Sequence, residues 1–349
     1  MDIAGRIEPS IRDLNSNGKV LALLTKHILV TGTAGFIGSH VAQTLLERGD
    51  RVTGIDNLND YYDPARKRSN LREVAKSPGG DSFAFVEGDI RDEKKIASLF
   101  ADNRFDGVAN LAAMAGVRAS LDDPALYYDV NLNGTLVLLD ACRDADPHPN
   151  FVQASTSSVY GASQQMPFIE SDPCDRPLAP YPASKRAAEM LGFTYHHIYK
   201  LDITNVRFFT VYGPRGRPDM MAYKVADNIH YGKEVSLYNN GRMHRDWTFV
   251  SDVAAGVVAA VDRRLGYEVI NLGRGEPILL ADFVGFIEEH MGKRANLKSA
   301  EMPIADIPYT YADITKARDL LDYDPNVSVR EGIERFLNWY EARAALENA

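Results

Sequence analysis

At 349 residues the chain is long enough for one large domain or two modest ones around a sizeable core. Its 45% hydrophobic and 25% charged content fits a soluble globular protein, and a net charge of −9 argues against nucleic-acid binding, which needs a basic face. No apolar run approaches a membrane span, and two cysteines, Cys142 and Cys174, cannot form a disulfide framework and fit a reducing cytoplasm.

In chain order, residues 1–25 read as an N-terminal extension. Their one apolar stretch, Val20-Leu-Ala-Leu-Leu24, is too short for a signal peptide and lacks a cleavage-site pattern. From His27, β-rich runs alternate with amphipathic stretches. Strands are predicted at His27–Thr31, Arg51–Asp56, Phe83–Glu87, Asp106–Asn110, Asn150–Ser155 and Ile203–Phe208. Helices are predicted at Phe36–Arg48, Asp92–Ala101, Pro124–Asp144 and Tyr181–Tyr199. This rhythm implies right-handed βαβ units and an α/β fold with a doubly wound parallel sheet. After Phe209 the rhythm loosens into turn-rich segments such as Gly213-Pro-Arg-Gly-Arg-Pro218, which suggests a smaller substrate-binding lobe. The expected division is a dinucleotide domain over 26–209, with 251–272 returning to it, and a lobe formed by 210–250 and 273–349.

Ile28-Leu-Val-Thr31 runs straight into Gly32, Gly35 and Gly38, with Phe36 opening a helix. Glycines at this spacing allow a tight turn and close backbone approach to a pyrophosphate, which the helix N-terminus favours. Asp56 ends the second strand, eighteen residues after Gly38, where a carboxylate accepts from the adenosine ribose hydroxyls and repels a 2′-phosphate, so NAD is expected over NADP. Asp89 follows the third strand and is expected to receive the adenine amino group, with Ile90 adding a backbone contact. Tyr181 and Lys185 lie four apart on a predicted helix, hence on one face. An ammonium beside a phenol is expected to lower the phenol pKa and make a base that works near neutrality. Adjacent His196 and His197 do not share a helix face and have no cluster to complete a metal site, so no metal is expected.

These residues resemble the extended short-chain dehydrogenase/reductase family. The likeness rests on Thr31-Gly-Thr-Ala-Gly-Phe-Ile-Gly38, Asp56-Asn57, Gly88-Asp-Ile90, Asn110-Leu-Ala-Ala113, Asn131, Ser155-Thr-Ser-Ser-Val-Tyr-Gly161 and Tyr181…Lys185, and runs from about His27 to Pro325. It implies a Rossmann domain holding NAD and a C-terminal lobe holding a nucleotide-sugar. Within the family the chain is most similar to UDP-glucuronate 4-epimerases, through Asn57-Leu-Asn-Asp-Tyr-Tyr-Asp63, Ala115-Gly-Val-Arg118, Gly216-Arg-Pro-Asp-Met220 and Arg245-Asp-Trp-Thr248. It departs from relatives at Asn110, Arg215 and Ala305, where histidine, tryptophan and glycine are usual.

The resemblance implies catalytic roles for Tyr181, Lys185 and Thr156. Tyr181 would deprotonate the sugar hydroxyl at carbon 4, Thr156 would hydrogen-bond the same oxygen, and Lys185 would bond the nicotinamide ribose. It implies cofactor contacts from Gly32, Gly35, Phe36, Ile37, Gly38, Asp56, Asn57, Asp89, Ile90, Leu111, Ala112, Ala113 and Asn131, besides Tyr181 and Lys185. A transient 4-keto sugar would turn over in the pocket and take its hydride back on the other face. Thr156-Ser-Ser158 lacks the carboxylates that dehydratases and decarboxylases of the family use there. Arg217, Thr210, Ser157 and Ser158 are the expected cradle for a uronate carboxylate, since guanidinium clasps carboxylate through two bonds. Arg245 is expected on the UDP diphosphate and Asp306 on the uridine ribose. A homodimer joined through Pro124–Asp144 and Tyr181–Tyr199 is implied. The alternatives are a UDP-glucose 4-epimerase, a UDP-glucuronate decarboxylase and a non-catalytic NAD-binding sensor.

Overall fold

The computed structural model describes residues 25–302 and 305–347. The expected extension over 1–25 therefore lies, apart from Thr25, outside the described residues.

The first half alternates β1 (His27–Thr31), α1 (Phe36–Glu47), β2 (Arg51–Asp56), α2 (Pro64–Lys76), β3 (Phe83–Glu87), α3 (Glu93–Asp102), β4 (Gly107–Asn110), α4 (Pro124–Tyr128), α5 (Gly134–Asp144), β5 (Asn150–Thr156), α6 (Pro180–Tyr199) and β6 (Ile203–Phe208). Then follow β7 (Thr210–Tyr212), α7 (Met221–His230), β8 (Glu234–Tyr238), β9 (His244–Phe249), α8 (Val250–Asp262), β10 (Tyr267–Leu272), β11 (Pro277–Leu279), α9 (Leu280–Met291), β12 (Asn296–Ala300), β13 (Tyr309–Thr310), α10 (Thr315–Leu321) and α11 (Val329–Glu347).

Seven strands form one sheet in the order β10-β6-β5-β4-β1-β2-β3, and every neighbouring pair is parallel. The expected Rossmann-type doubly wound sheet is thus present. Strands β1, β4, β5 and β6 are buried at every position, because helices cover both faces of a parallel sheet. Strand order reverses between β1 and β4, so the crevice for a ligand opens at their carboxyl ends. Helix α8 packs on α1, and β10 pairs with β6 from Tyr267↔Ile203 to Leu272↔Phe208.

Two elements differ from the sequence expectation. Helix α2 carries a basic, weakly apolar sequence that gives little periodic signal. Its start is chemically marked instead: Asp63 caps it by accepting from the Ala65 N–H, and Pro64 occupies the first turn. The single helix expected over 124–144 is interrupted at Asp129–Asn133 by one wide π-type turn.

The C-terminal lobe is a small sheet in which β9 pairs with β7, β11 and β13, beside a separate β12–β8 pair. Its core is aromatic: Trp247 stacks on Phe283 at 3.7 Å, and Tyr212 meets Trp247, Phe249 and Phe283 edge-on.

Candidate active site

At the β1–β4 switch point the chain turns through Gly32, whose φ of +67° suits glycine. A Cβ on Gly32 would lie 2.8 Å from the Ala112 nitrogen, and one on Gly38 would lie 2.1 Å from the Gly32 carbonyl oxygen. The turn is therefore pressed onto both the exit of β4 and the first turn of α1. Thr31 Oγ1 fixes the β4 exit by accepting from the N–H groups of Leu111 and Ala112 at 3.1 and 3.0 Å and donating to Asn110 Oδ1 at 2.6 Å. No side chain caps α1, so its first N–H groups are available to an anion.

A cleft of about 330 Å³ opens over this turn. Gly32, Gly35, Phe36, Ile37, Gly38, Asp56, Asn57, Asp89, Ile90, Leu111, Ala112, Ala113, Thr156, Tyr181 and Lys185 all line it. Asp56 is oriented by backbone N–H groups of Ala34 and Leu58 at 3.1 and 2.8 Å. Burial pushes its pKa up, opposed by nearby Lys67. Asp89 is held down to about 2, first by its hydrogen bonds from Arg91 and against its partial burial, and it also accepts from Asn57 Nδ2 at 2.8 Å.

Asn131, expected among the cofactor contacts, does not line this cleft. From the π-type turn its side chain accepts from the Met114 N–H at 2.9 Å and donates to the Met114 carbonyl and to Ser184 Oγ. It ties the loop after β4 to α6, one layer behind the cleft. Asn110 is equally internal, donating to Gln153 and Thr135.

Tyr181 and Lys185 project from the first turns of α6 toward Thr156 at the end of β5. The expected effect of Lys185 on Tyr181 is not found. Burial raises the Tyr181 pKa, Thr156 and Arg217 pull it back, and Lys185 is not among the groups that move it. Lys185 Nζ itself is buried without a partner among the described residues, and burial lowers its pKa to about 8 against the pull of Glu189. An orphaned ammonium at this depth, an open glycine turn and an oriented carboxylate on β2 together fit a dinucleotide.

Glu189, a further turn along α6, anchors this face. It is fully buried and accepts from Arg207 Nε and Nη2 at 2.9 and 2.8 Å, from Ser155 Oγ at 2.5 Å and from Arg186 at 2.9 Å. These bonds join α6 to β5 and β6, and so fix Tyr181 relative to Thr156.

A second cavity, of about 670 Å³, adjoins the first. It is lined by Thr210, Arg245 and Asp306, while Arg217 and Tyr61 lie on the wall that both cavities share. Arg217 donates through Nε and Nη2 to the two oxygens of Asp219, each at 2.9 Å. Asp306 is engaged by Arg118 at 2.8 Å, and Arg118 also donates to Tyr238 Oη. Arg245 is deprived of water, which lowers its pKa against the attraction of Asp306. Ser157 and Ser158 line neither cavity; Ser158 N–H bonds back to Thr156 Oγ1 at 3.2 Å. Sequence reasoning did not single out Tyr61, Lys67, Arg118 or Asp219 for the site. The quoted motifs contain Tyr61, Arg118 and Asp219, but nothing local says that these three loops meet. Among the described residues no group of three His, Cys, Asp or Glu could hold a metal ion.

A parallel sheet with a glycine turn at its switch point, facing a tyrosine and a lysine on one helix, defines a dinucleotide-dependent enzyme of Rossmann type. The chain belongs to the NAD dependent epimerase/dehydratase family, whose model matches residues 28–273. It is 44% identical over 314 residues to a UDP-glucuronate 4-epimerase of Thermodesulfobacterium geofontis, covering 90% of this chain and 95% of that protein. The crystal structure of UDP-glucuronic acid 4-epimerase from Bacillus cereus with UDP-glucuronic acid and NAD is similar with a TM-score of 0.83 and 34% identity, over 91% of this chain and 99% of that one. A Thermotoga maritima UDP-glucose 4-epimerase with UDP-glucose has the same TM-score, 0.83, at 29% identity, over 91% and 99% of the two chains. Backbone likeness alone therefore does not separate uronate from neutral hexose.

Proposed function

We propose that this enzyme interconverts UDP-glucuronate and UDP-galacturonate by epimerisation at carbon 4. The observation that carries this reading is the position of Arg217. It stands on the wall between the cleft holding Thr156, Tyr181 and Lys185 and the cavity holding Arg118, Arg245 and Asp306. A nucleotide-sugar reaching from one to the other passes a guanidinium at the sugar, which a uronate carboxylate matches. The lack of any carboxylate at Thr156-Ser-Ser158 favours epimerisation over decarboxylation.

In the cofactor cleft, the turn at Gly32, Gly35 and Gly38 would take the pyrophosphate, Asp56 the adenosine ribose, Asp89 and Ile90 the adenine, and Lys185 the nicotinamide ribose. Bound NAD supplies a hydride acceptor and donor. Tyr181 Oη removes the proton from the carbon-4 hydroxyl and returns it to the epimer, while Thr156 Oγ1 orients that oxygen. Arg217 and Thr210 hold the uronate carboxylate, with Ser158 bracing Thr156. Arg245 and Arg118 neutralise the diphosphate, and Asp306, fixed by Arg118, reaches the uridine ribose. Holding the carboxylate away from alignment with the carbon-4 ketone slows loss of carbon dioxide from the β-keto acid intermediate.

The protein acts in the cytoplasm as a homodimer in this reading. Met190, Phe193 and Ile198 on α6 and Leu136 on α5 expose apolar surface, which a second copy would cover. No described helix is long and apolar enough to cross a membrane.

Incubation with UDP-glucuronate tests the assignment, with UDP-galacturonate as the expected product. UDP-pentose as the main product would refute it. Faster turnover of UDP-glucose would move the assignment to the neutral hexose, and no turnover of any UDP-sugar would favour the sensor.

A further inference from the structure

We propose that Asp219 is a positioning residue that limits how tightly the uronate carboxylate is held, acting through Arg217 as its permanent counter-ion. The inference rests on the uronate reading of the site.

Arg217 offers a substrate only part of its guanidinium. Two of its five N–H donors, one on Nε and one on Nη2, are taken by Asp219 Oδ1 and Oδ2 in a two-bond pairing, each bond 2.9 Å. Nη1 is left without a hydrogen-bond partner among the described residues. Two further contacts hold this arrangement. Tyr61 Oη donates to Asp219 Oδ2 at 3.4 Å, and the Tyr61 ring lies 5.6 Å from the Arg217 guanidinium carbon. Arg217 lines both cavities, whereas Asp219 lines only the second and not the cleft that holds Tyr181.

A carboxylate that binds Nη1 therefore meets a paired, formally neutral unit rather than a bare cation. It accepts from the N–H groups that Asp219 leaves free and is repelled by Asp219 across the guanidinium. This weakened grip suits the reaction. Substrate and product carry the same carboxylate, and the 4-keto ring must turn between the two hydride transfers. A tighter ground-state hold would lower KM without raising kcat.

The test is equilibrium binding to the NAD-loaded protein, native and substituted, at low and high ionic strength, with kcat measured alongside. Asp219→Asn keeps a hydrogen-bond acceptor for Arg217 and removes the charge. It is expected to bind UDP-glucuronate about tenfold tighter, with no rise in kcat and less than about twofold change for UDP, which has no uronate. The gain should shrink as salt is added. Asp219→Glu, which keeps the charge, should stay close to the native affinity. Should the asparagine variant not fold, Asp219→Ser gives the same direction. Weaker UDP-glucuronate binding by the neutral variants, or equal shifts for UDP and UDP-glucuronate, would mean that Asp219 merely props the loop, and would overturn the proposal. Failure of the native enzyme to form UDP-galacturonate overturns the uronate reading and this inference with it, and is distinguishable because it precedes any substitution.

Discussion

The two cavities that meet at Arg217 are assembled from chain segments of very different span. The cofactor cleft is built at the ends of consecutive strands, β1 to β5, with one face of α6, and its walls are mostly backbone and apolar side chains. The sugar cavity gathers Gly116–Ala119, Thr210–Lys224, Ser236–Arg245 and Asp306, and it is neutralised by side-chain pairs, Arg118 with Asp306 and Arg217 with Asp219. A site whose shape comes from backbone contact has little room for adjustment, because a Cβ at Gly38 has nowhere to go. A site whose charge balance comes from exposed pairs can be retuned one residue at a time. Chemistry should therefore fail abruptly in the first half and specificity should shift by degrees in the second.

The sharpest test of that contrast is Tyr181→Phe. It removes one oxygen from the cofactor half and leaves both ligand sites otherwise intact. Turnover should fall by about three orders of magnitude, while the protein still retains NAD and still binds UDP, read from cofactor absorbance and nucleotide titration. Near-native turnover would mean that another group carries the proton.

Next in size is the anchor behind the catalytic face. Glu189→Ala leaves Arg207 fully buried and unpaired, a change that costs about 3–5 kcal/mol in comparable buried pairs. The denaturant midpoint should fall accordingly. Glu189→Gln, which can still accept from Ser155 or Arg207, should lose less. Equal midpoints for the native and alanine proteins would show that α6 is held by packing alone.

The same division decided what could be read from the sequence. Gly32, Gly35, Gly38, Asp56 and the Tyr181–Lys185 pair each sit within one strand, turn or helix, where spacing fixes relative position. The sheet was legible for the same reason, since each strand is a short β-rich run within a regular alternation with helices. The partners of Asp219 and Asp306 were not, because Tyr61 and Arg118 arrive from loops more than 150 residues distant in the chain. Spacing also did not show that Asn131, on the π-type turn, bonds Met114 and Ser184. Spacing puts Lys185 on one face with Tyr181, but it does not show that burial raises the Tyr181 pKa or that the opposing charge is Arg217.

In the sugar half the largest single effect should come from Arg217→Gln. Losing the guanidinium should raise KM for UDP-glucuronate by about 10–100-fold, one strong charge-assisted interaction, with a much smaller change for UDP-glucose. Steady-state kinetics on both sugars reads this directly. Equal losses on the two would show that Arg217 supports the cavity wall rather than the carboxylate.

The smallest effect probes whether the two halves are independent at all. His40 lies on α1, the cofactor helix, and bonds the loop that leads into Arg217. Arg215 Nη2 lies 2.8 Å from His40 Nδ1, and His40 Nε2 lies 2.9 Å from the Pro214 carbonyl oxygen. A guanidinium only donates, and Arg215 Nε also reaches His40 Nε2 at 3.2 Å, so the ring accepts from the guanidinium and adding a proton to it is opposed. Burial, with the Arg215 charge adding to it, lowers the His40 pKa to about 3 from the ordinary 6.5. Above pH 6.5 the ring is neutral whether the chain is folded or not, and it contributes no pH dependence. As pH falls from 6.5 toward 3 the unfolded chain binds a proton that the folded one refuses, so stability drops by at most about 1.4 kcal/mol per pH unit. His40→Asn can accept from Arg215 and donate to Pro214 without titrating, and it should flatten that slope in denaturant midpoints taken at pH 7.5, 6 and 5. In the folded enzyme the ring stays neutral across these pH values, so coupling between the halves is read from the substitution itself: if the seam transmits strain, KM for UDP-glucuronate should differ between the native enzyme and the variant at all three. Equal KM values, with matching denaturant slopes, would leave the cofactor helix and the sugar loop as neighbours that do not communicate.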